Sequence, residues 1–508
     1  ENHIYVDVFE SYQNEEDRRT GLRGEVSKVQ IRCLHSGSLY RGCCRPLDKT
    51  DEAKAWATSV RLCERWNKNV AFIENTQSFM FTATQRAPVP VRDHSRVQNL
   101  MANRVPDMSV QTWLKHPLRK QYHEVDFFPS LDQAVLPRRF VDGEDLNLFQ
   151  GYAIPKEKAG PGNIQPLLDH IKNIWCNGDT ESFEYTLNWM AQIVQRPWKR
   201  TRVVLVLISK EGAGKGMVIT DILGEILGCQ CFVSESRKDN IFGPFNSGLS
   251  CKTLVVLNEL LWAGSHESAG IFKDMITDKR ITINEKHQVQ RPETCYQNYC
   301  ICTQGPWAVP ASCESRRFFV LEPSERYCGN QTDESVEYFD KVASVKPQHF
   351  ADFLYKRDLR QFKPSKVPVT RALTKQKEQS LAPVQSAIFE CLMRGALCGA
   401  SLGTVLTRRD VIRVLTDEFG HQHGFPSTPQ KFWLALATAC SAKEQSFLTD
   451  LGRCTPDGLP RDHYMKFLPL EECRAFWSQN MFEPSHGWPE ETPSDDEWGD
   501  YENENPPQ

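Results

Sequence analysis

The sequence predicts an α/β protein built around a parallel β-sheet, and three neighbouring features lead to this class. An unbroken apolar run at residues 203–208 is short and rich in β-branched side chains, as in a strand buried on both faces of a parallel sheet. A glycine-bearing turn at residues 209–216 follows it. After the turn, apolar residues recur at helical spacing, at Met217, Val218, Ile219, Ile222, Leu223, Ile226 and Leu227.

The turn is a candidate phosphate-binding loop, because its glycines let backbone N–H groups converge on phosphate oxygens at a helix N-terminus. Lys215 would supply a point charge for the β- and γ-phosphates. The pattern G-x-x-x-x-G-K-[ST] is incomplete, since Ser209 replaces the first glycine and Gly216 replaces the hydroxyl residue. The alternative is an ordinary strand–helix connection with a solvated Lys215. The candidate nucleotide-binding residues are Gly212, Ala213, Gly214, Lys215, Gly216 and Met217.

Length and composition indicate an ordinary soluble protein. The 508 residues are 40% hydrophobic and 25% charged, and the length suits about three or four domains. No apolar run approaches the ~20 residues of a membrane span, so we expect no membrane partner. The chain begins with Glu1 and shows no secretory signal, so we expect a fragment, a processed product or a shortened chain.

Cysteine usage and charge bear on the environment of the chain. The 18 cysteines are scattered without a C-x-x-C pair, which predicts a reduced, intracellular protein of the cytoplasm or nucleus, with an organelle as the alternative. A zinc site at Cys33, His35, Cys43 and Cys44 is the alternative to buried, unreactive thiols. Of the net charge of −4, nine acidic residues lie in residues 482–508, so residues 1–481 carry a formal +5. We expect that tail to be disordered, as a solubilising segment or as a contact for a basic partner.

The N-terminal part carries no catalytic cluster. Residues 26–34 and 70–82 look like strands and residues 51–66 look helical. The isolated Asp7 and Glu10 carboxylates do not predict a metal-dependent polymerase site. Residues 110–120, 166–176 and 181–194 predict a helical region before the central strand.

Two further apolar runs, at residues 229–233 and 254–257, predict strands of the same sheet. The second ends in Asn258 and Glu259. Because ligands bind beyond the carboxyl ends of parallel strands, this is the Walker B arrangement, in which Glu259 would polarise the attacking water. The alternative is an ordinary strand-end carboxylate.

Basic residues follow on a predicted hairpin and after the last core strand. Residues 281–283 and those from 289 onward alternate like a β-hairpin, to which Arg280, Lys286 and Arg291 give a basic character suited to a nucleic-acid channel. A solvated hairpin tip is the alternative. After a strand at residues 299–303, Arg316 and Arg317 can reach the γ-phosphate on a neighbouring subunit or form surface salt bridges.

These residues carry a resemblance to a known family. The matching strings are WLKHPLRKQY at 113–122, EGAGKG at 211–216, IFGPFNSGL at 241–249, NELLWAG at 258–264, IFKDMITDKRITINEK at 271–286, WAVPASCESRRFFVLE at 307–322, the segment at 338–381 and LEECRAFW at 470–477. Over roughly residues 60–480 the chain resembles the helicase part of phage, plasmid and viral primase–helicases, which are superfamily 3 helicases of the AAA+ type.

The resemblance implies ATP and Mg²⁺ as cofactors and assigns roles by position. Lys215 binds phosphate, Glu259 activates water, and Asn258 with Glu259 holds Mg²⁺ through water. Lys286 contacts DNA, and Arg316 or Arg317 is an arginine finger acting in trans. Gly216 is usual in the family. The chain departs from the family where Ser209 replaces the first loop glycine, where Asn258 replaces the usual Asp, and where Thr303-Gln304-Gly305 replaces the thr-ser-asn sensor.

The C-terminal region predicts two amphipathic helices at residues 407–418 and 428–440 and a strand at residues 464–468. Helix, helix and wing suit a small DNA-binding domain with Arg408, Arg409 and Arg413 as phosphate contacts. A helical packing or oligomerisation domain is equally compatible.

Two functions remain open at this point. The first is an ATP-dependent DNA helicase or translocase in the replication of a virus, phage or mobile element. It would act as a ring, expected to be a hexamer, on single-stranded or forked DNA with other replication proteins. The second is a degenerate relative that binds nucleotide or nucleic acid as an assembly or scaffolding factor. The expected domains are 1–110 mixed α/β, 111–200 helical lead-in, 201–325 P-loop ATPase core, 326–395 helical segment, 396–480 winged-helix-like domain and 481–508 acidic tail.

Overall fold

The computed structural model describes most of the chain, and the packing divides it into two units. The first comprises Glu1–Phe127 and Asp132–Leu148, and the second comprises Phe128–Leu131 and Phe149–Gln508. The described residues are 34–35, 38–39, 51–82, 91–259, 266–286, 290–305, 307–309, 311, 316–328, 332–397, 400–422, 424–443, 445–456 and 458–489. The candidate zinc side chains, most of the strand predicted at 26–34 and the tail from residue 490 therefore lie outside the described part.

The first unit contains helices and, among its described residues, three small sheets of two, three and two strands. Its strands are β1 (Leu34–His35), β2 (Ser38–Leu39), β3 (Val70–Ile73), β4 (Ser78–Phe81), β5 (Gln121–Tyr122), β6 (Val125–Asp126) and β7 (Leu146–Asn147). Its helices are α1 (Asp51–Asn67), α2 (His94–Ala102), α3 (Val110–Leu114) and α4 (Arg138–Val141). Strand β3 lies between antiparallel β4 and parallel β5, and the buried Trp66 and Trp113 rings stack at 5.5 Å.

The helix predicted at residues 110–120 is wrong beyond Leu114. Pro117 disfavours helical geometry at His116, so the chain leaves the helix at Lys115 and extends into β5. The helix predicted at residues 51–66 and the strands within 70–82 are confirmed as α1, β3 and β4.

The second unit holds the remaining elements. Its helices are α5 (Gln165–His170), α6 (Thr180–Gln195), α7 (Gly224–Leu227), α8 (Asp239–Phe242), α9 (His266–Thr277), α10 (Asp333–Ala343), α11 (Pro347–Lys356), α12 (Arg371–Gln379), α13 (Pro383–Arg394), α14 (Arg408–Phe419), α15 (Pro429–Ala439) and α16 (Leu470–Asn480). Its strands are β8 (Val204–Ile208), β9 (Phe232–Glu235), β10 (Leu254–Asn258), β11 (Arg280–Ile283), β12 (Arg291–Thr294), β13 (Asn298–Thr303), β14 (Phe318–Leu321), β15 (Ala396–Leu397), β16 (Ala400–Ser401), β17 (Val405–Thr407), β18 (Ser441–Ala442), β19 (Gln445–Ser446), β20 (Leu448–Cys454) and β21 (Asp462–Phe467).

The core of this unit is a five-stranded parallel sheet in the order β14-β8-β13-β10-β9, which confirms the predicted α/β class. Strand β8 is buried along nearly its whole length, as its apolar run predicts. The strand predicted at residues 229–233 starts later, at Phe232, because Gly228 turns the chain at φ +77°. The order brings the carboxyl ends of β8, β13 and β10 side by side.

Two π-helical turns adjoin this edge of the sheet. One, Met217–Leu223, lies in the helix that follows the glycine turn and continues into α7. The other, Ile171–Trp175, continues α5. Such turns are rare and occur frequently at functional sites.

The C-terminal part forms its own apolar core. A three-stranded sheet in the order β17-β21-β20 packs with α13, α14, α15 and α16 around buried Phe432 and Trp477. Thr407 and Thr428 cap α14 and α15 by accepting backbone hydrogen bonds, so both predicted helices are confirmed with their starts shifted by one residue.

Candidate functional site

The glycine turn lies at the carboxyl edge of the parallel sheet. Gly212 and Gly214 adopt φ of +86° and +70°, which glycine tolerates far better than other residues. The Ser209 N–H donates to the Thr303 carbonyl at 3.1 Å, so the start of the turn is fixed to the end of β13.

Lys215 is held at the centre of this edge. Its Nζ donates to the carbonyl oxygens of Ser209 at 2.6 Å and Thr303 at 3.2 Å. Burial lowers the pKa of this half-buried ammonium, while the nearby Cys302 thiol and the Glu259 and Glu211 carboxylates oppose that shift. A cation confined between two strand ends and facing glycine backbone can exchange its carbonyl partners for phosphate oxygens.

Glu259 follows β10 and lies close to the end of β13. It adopts φ +52°, unusual for a side chain of this size, and its N–H donates to the Cys302 carbonyl at 2.8 Å. Its Oε2 accepts a hydrogen bond from the Gln304 N–H at 3.1 Å. The Gln304 side-chain amide donates to Glu211 Oε1 at 3.2 Å. Three strand ends therefore present one lysine and two carboxylates to the same space.

Asn258 and Gly305 occupy the positions where the sequence departs from the family pattern. Asn258 Nδ2 donates to Ser234 Oγ at 2.6 Å, on the β9 side of the sheet. The Gly305 N–H donates to Thr303 Oγ1 at 3.1 Å, and the residue offers no side chain. Gln304, one residue earlier, supplies the only side-chain amide of the Thr303-Gln304-Gly305 turn.

His170, which sequence reasoning did not single out, packs directly behind the turn. Its ring is fully buried and its Nδ1 lies 3.0 Å from the Tyr338 hydroxyl on α10. Nε2 lies beside the Ala213 backbone but has no hydrogen-bond partner of ordinary geometry within the described residues. Burial lowers the pKa of His170 to about 4. Because 168 residues separate His170 from Tyr338, no local sequence signal marks the contact.

The two later glycines of the turn have different surroundings. A Cβ on Gly214 would lie 2.6 Å from His170 Nε2 and 3.1 Å from the Phe339 ring. A Cβ on Gly216 would meet nothing within 4 Å. The turn is thus closely packed on its inner side at Gly214 and open at Gly216.

The predicted DNA-contacting residues lie on the antiparallel pair β11 and β12. Lys286 is exposed beyond the end of β11, and Arg280 is exposed at its start. Arg291 instead pairs with the buried Glu293 at 3.3 Å and donates to Ser250 Oγ at 2.7 Å. Its charge is engaged inside the protein, which favours a structural role over the predicted DNA contact.

The predicted finger residues lie far from the turn of the same chain. Arg317 precedes β14, and its carbonyl accepts from the Val204 N–H at 2.8 Å, at the amino end of β8. The turn follows the other end of β8, about 15 Å away for a strand of this length. Arg316 is exposed beside it. The structure therefore does not bring Arg316 and Arg317 together with Lys215 and Glu259 within one chain.

In the C-terminal part, two of the three arginines predicted to contact phosphate have partners within the protein. The Arg408 guanidinium lies 4.3 Å from the centre of the Trp433 ring, and Arg413 pairs with Asp410 at 3.1 Å. Arg409 is exposed.

Several general expectations concern the described residues as a whole. Within them, no group of three His, Cys, Asp or Glu side chains is arranged to hold a metal ion. The cysteines that the structure describes form no disulfide bond with one another. Among the residues that the structure describes, no helix is both long and apolar enough to cross a membrane.

Comparisons with known proteins give a fold and one family match. Residues 207–317 match a family of unknown function, DUF5906. No curated protein matches the sequence. The chain is similar to the apo C-terminal region of NrS-1, with a TM-score of 0.61 at 18% identity over 81% of this chain and 98% of that chain. One A-form structure of the same region gives a TM-score of 0.57 at 18% identity, over 78% of this chain and 96% of that chain. Another gives a TM-score of 0.59 at 17% identity, over 81% of this chain and 98% of that chain. At these identities the likeness shows a shared fold across most of this chain.

Proposed function

We propose that this chain is an ATP-dependent motor of the AAA+ type, a helicase or translocase acting on single-stranded or forked DNA as a homo-oligomeric ring. The observation that carries the proposal is the convergence of Lys215, Glu259 and the Gln304 backbone at the carboxyl edge of one parallel sheet. This edge is where open α/β sheets bind ligands.

The architecture supports this assignment in two places. Strand β8, the glycine turn and the following helix come in the order expected of a phosphate-binding loop, which supports the proposal. The C-terminal sheet with α13, α14 and α15 has the order helix, strand, two helices and a two-stranded hairpin, which suits a winged-helix-like domain.

The residues of the site suit ATP hydrolysis. Bound Mg-ATP would supply the γ-phosphoryl group whose transfer to water drives the motor. Lys215 would exchange the Ser209 and Thr303 carbonyls for phosphate oxygens, and the Gln304 N–H would hold the Glu259 carboxylate in position to orient the attacking water. Asn258 and Glu259 would contact Mg²⁺ through water, because Mg²⁺ usually keeps several waters beside substrate phosphates.

The ring part of the proposal rests on the finger residues. Arg316 and Arg317 lie at the amino edge of the sheet, a strand length from the turn of their own chain. A finger at that position can act only on the nucleotide of another copy, where it would stabilise transition-state charge. The resemblance in sequence supports a hexamer, replication proteins as partners, and a role in the replication of a virus, phage or mobile element.

A second candidate function is favoured by Asn258 and Gly305. The resembling family has a charged carboxylate at position 258, where Asn258 is neutral, and a side-chain amide at position 305, where Gly305 has no side chain. The chain is therefore also compatible with a nucleotide-binding assembly factor that hydrolyses ATP slowly. Glu259 retains its carboxylate at the site, which favours slow over absent hydrolysis.

ATP turnover measured with and without single-stranded DNA separates the two functions. A motor gives turnover that rises when DNA is added and that Lys215→Ala abolishes. Turnover that is absent, or that DNA leaves unchanged while nucleotide still binds, contradicts the motor and favours the assembly factor. Nucleotide binding that Lys215→Ala leaves intact contradicts both.

A further inference from the structure

A second concave surface lies at the amino edge of the parallel sheet, away from the glycine turn. It is an open cavity of about 510 Å³, here called the Trp198 cavity, whose lining includes Trp198, Lys199, Arg200, Arg202, Lys279 and Tyr296. Residues 198–202 lead into β8, Thr294 ends β12, and residues 295–296 lie between β12 and β13.

The rim of the cavity is cationic. Lys199, Arg202 and Lys279 are all exposed, and the lining contains no aspartate or glutamate. No ion pair within the described part of the chain involves these three side chains. These three exposed cations repel one another. The exposed Asp278 carboxylate, next to Lys279, offsets part of that repulsion, and an anionic ligand would offset more.

Hydrogen bonds from Arg200 and Thr201 fix the backbone that carries two of the rim cations, Lys199 and Arg202. Between these two cations, the Arg200 guanidinium turns inward and donates to the carbonyls of Gln297 at 2.9 Å, Asp278 at 2.6 Å and Met275 at 2.7 Å. These bonds join residues 198–202 to the end of α9 and to the segment before β13. Thr201 adds two bonds of 2.9 Å to Asn298 Oδ1. The side chains of the rim therefore project from a fixed backbone.

Arg202 shows backbone strain at this position. Its φ is +56°, in a region that residues with a Cβ adopt only when the surrounding structure imposes it, and such residues cluster at functional sites. The bonds of Arg200 and Thr201 on one side and strand β8 on the other impose it here. The strained backbone displays the Arg202 side chain at the surface beside the mouth of the cavity.

Aromatic side chains and the basic hairpin adjoin the cations. Trp198 and Tyr296 contribute to the lining, and Tyr296 is braced edge-to-face by Phe128 at 5.7 Å. Lys279 is followed by the exposed Arg280 at the base of the hairpin whose far end carries Lys286. Cations that contact backbone phosphates, combined with aromatic faces for bases, are the features of surfaces that bind single strands without sequence preference.

We propose that the Trp198 cavity binds the phosphate backbone of single-stranded nucleic acid, as a contact separate from the hairpin tip. The proposal rests on the nucleic-acid partner of the proposed function but not on ATP hydrolysis. Lys199, Arg202 and Lys279 contact phosphates, and a strand that passes Lys286 continues along Arg280 to the cavity.

The test is a salt titration of binding to a fluorescein-labelled oligothymidylate, followed by anisotropy. The variant combines Lys199→Ala, Lys279→Ala and Arg202→Gly, because glycine adopts the φ of residue 202 without strain. Loss of three contacts removes about two units from the log–log salt slope, or about 50-fold in affinity at about 0.15 M salt if the curves converge near 1 M. The matched control is Lys156→Ala with Lys158→Ala, two exposed lysines elsewhere in the same unit.

The outcomes separate this proposal from the motor. The proposal holds if the triple variant loses affinity and slope while the control and the binding of a fluorescent ATP analogue are unchanged. It is overturned if affinity and slope are unchanged, or if the triple variant loses only ATP turnover, which would assign the cations to a neighbouring copy's nucleotide. A wild-type chain that does not bind the oligonucleotide overturns both proposals. Normal binding of DNA without ATP turnover contradicts the proposed motor but not the proposal for the Trp198 cavity.

Discussion

The buried His170 behind the glycine turn should make the stability of the protein depend on pH in a defined range. Unfolded, the ring takes a proton at an ordinary pKa of 6.5, whereas burial holds the folded-state pKa at about 4. Between these values the unfolded state binds a proton that the folded state excludes. The contribution to stability is therefore complete above pH 6.5 and is lost as the pH falls toward 4. The difference in pKa corresponds to about 3 kcal/mol.

The assay is urea unfolding at pH values from 4 to 8 for the wild type and for His170→Gln. Glutamine still offers Tyr338 a hydrogen-bond acceptor but does not titrate. We expect the difference in unfolding free energy between the two proteins to change by about 3 kcal/mol between pH 8 and pH 4. The nucleotide affinity of the wild type should also fall as the pH falls, since Gly214 and Ala213 lie against the His170 ring. His421→Gln, at an exposed histidine, should give no such change. If the unfolding free energies of the wild type and of His170→Gln varied in parallel with pH, the interpretation of His170 as a buried neutral imidazole would be refuted.

Four further predictions concern the proposed nucleotide site and the basic hairpin. Lys215→Ala should abolish binding of a fluorescent ATP analogue without loss of the fold, since alanine suits the first helical turn in which residue 215 lies; unchanged affinity would mean that the turn is not a phosphate site. Gly214→Ala should also lose nucleotide binding and cost about 1–3 kcal/mol in urea unfolding, because its φ of +70° and its 2.6 Å approach to a neighbouring ring exclude a Cβ; an intact affinity would show that the turn can shift. Asn258→Asp combined with Gly305→Asn should raise single-turnover hydrolysis by about 10²–10³-fold, by restoring a charge and an amide at the site; equal rates would show that Gln304 already compensates. Lys286→Ala should flatten the salt slope of single-strand binding by about 0.7 units with little effect on basal ATP turnover, and an identical slope would identify a merely solvated tip.

Local patterns in the sequence predicted most individual elements. The short apolar run before Ser209, the helical spacing after it and the threonines before α14 and α15 act over a few residues, so their geometry follows from local rules. The predictions at residues 115–120 and 229–231 were wrong because the apolar pattern was followed there. In the structure, Pro117 and Gly228 interrupt the helix and delay the strand.

The arrangement of the site depends on contacts that no local pattern encodes. His170 meets Tyr338 across 168 residues, and the order of the strands decides that Gln304 lies beside Glu259. Arg291 looked like an exposed cation on a hairpin, but its role depends on the buried Glu293, whose burial only the fold determines. Chemistry-bearing residue types could thus be recognised from the sequence, whereas their partners could not.

The position of Arg316 and Arg317 at one edge of the sheet, with Lys215 at the other, has a consequence for symmetry. If either arginine completes the nucleotide site of the next copy, as proposed, two different surfaces meet and the interface would be heterologous. Repeating such a contact closes into a ring if the rotation per copy divides a full turn without translation along the axis, and otherwise continues as a helical filament. A small change in that rotation would convert a closed particle into a fibre without altering a single residue of the nucleotide site.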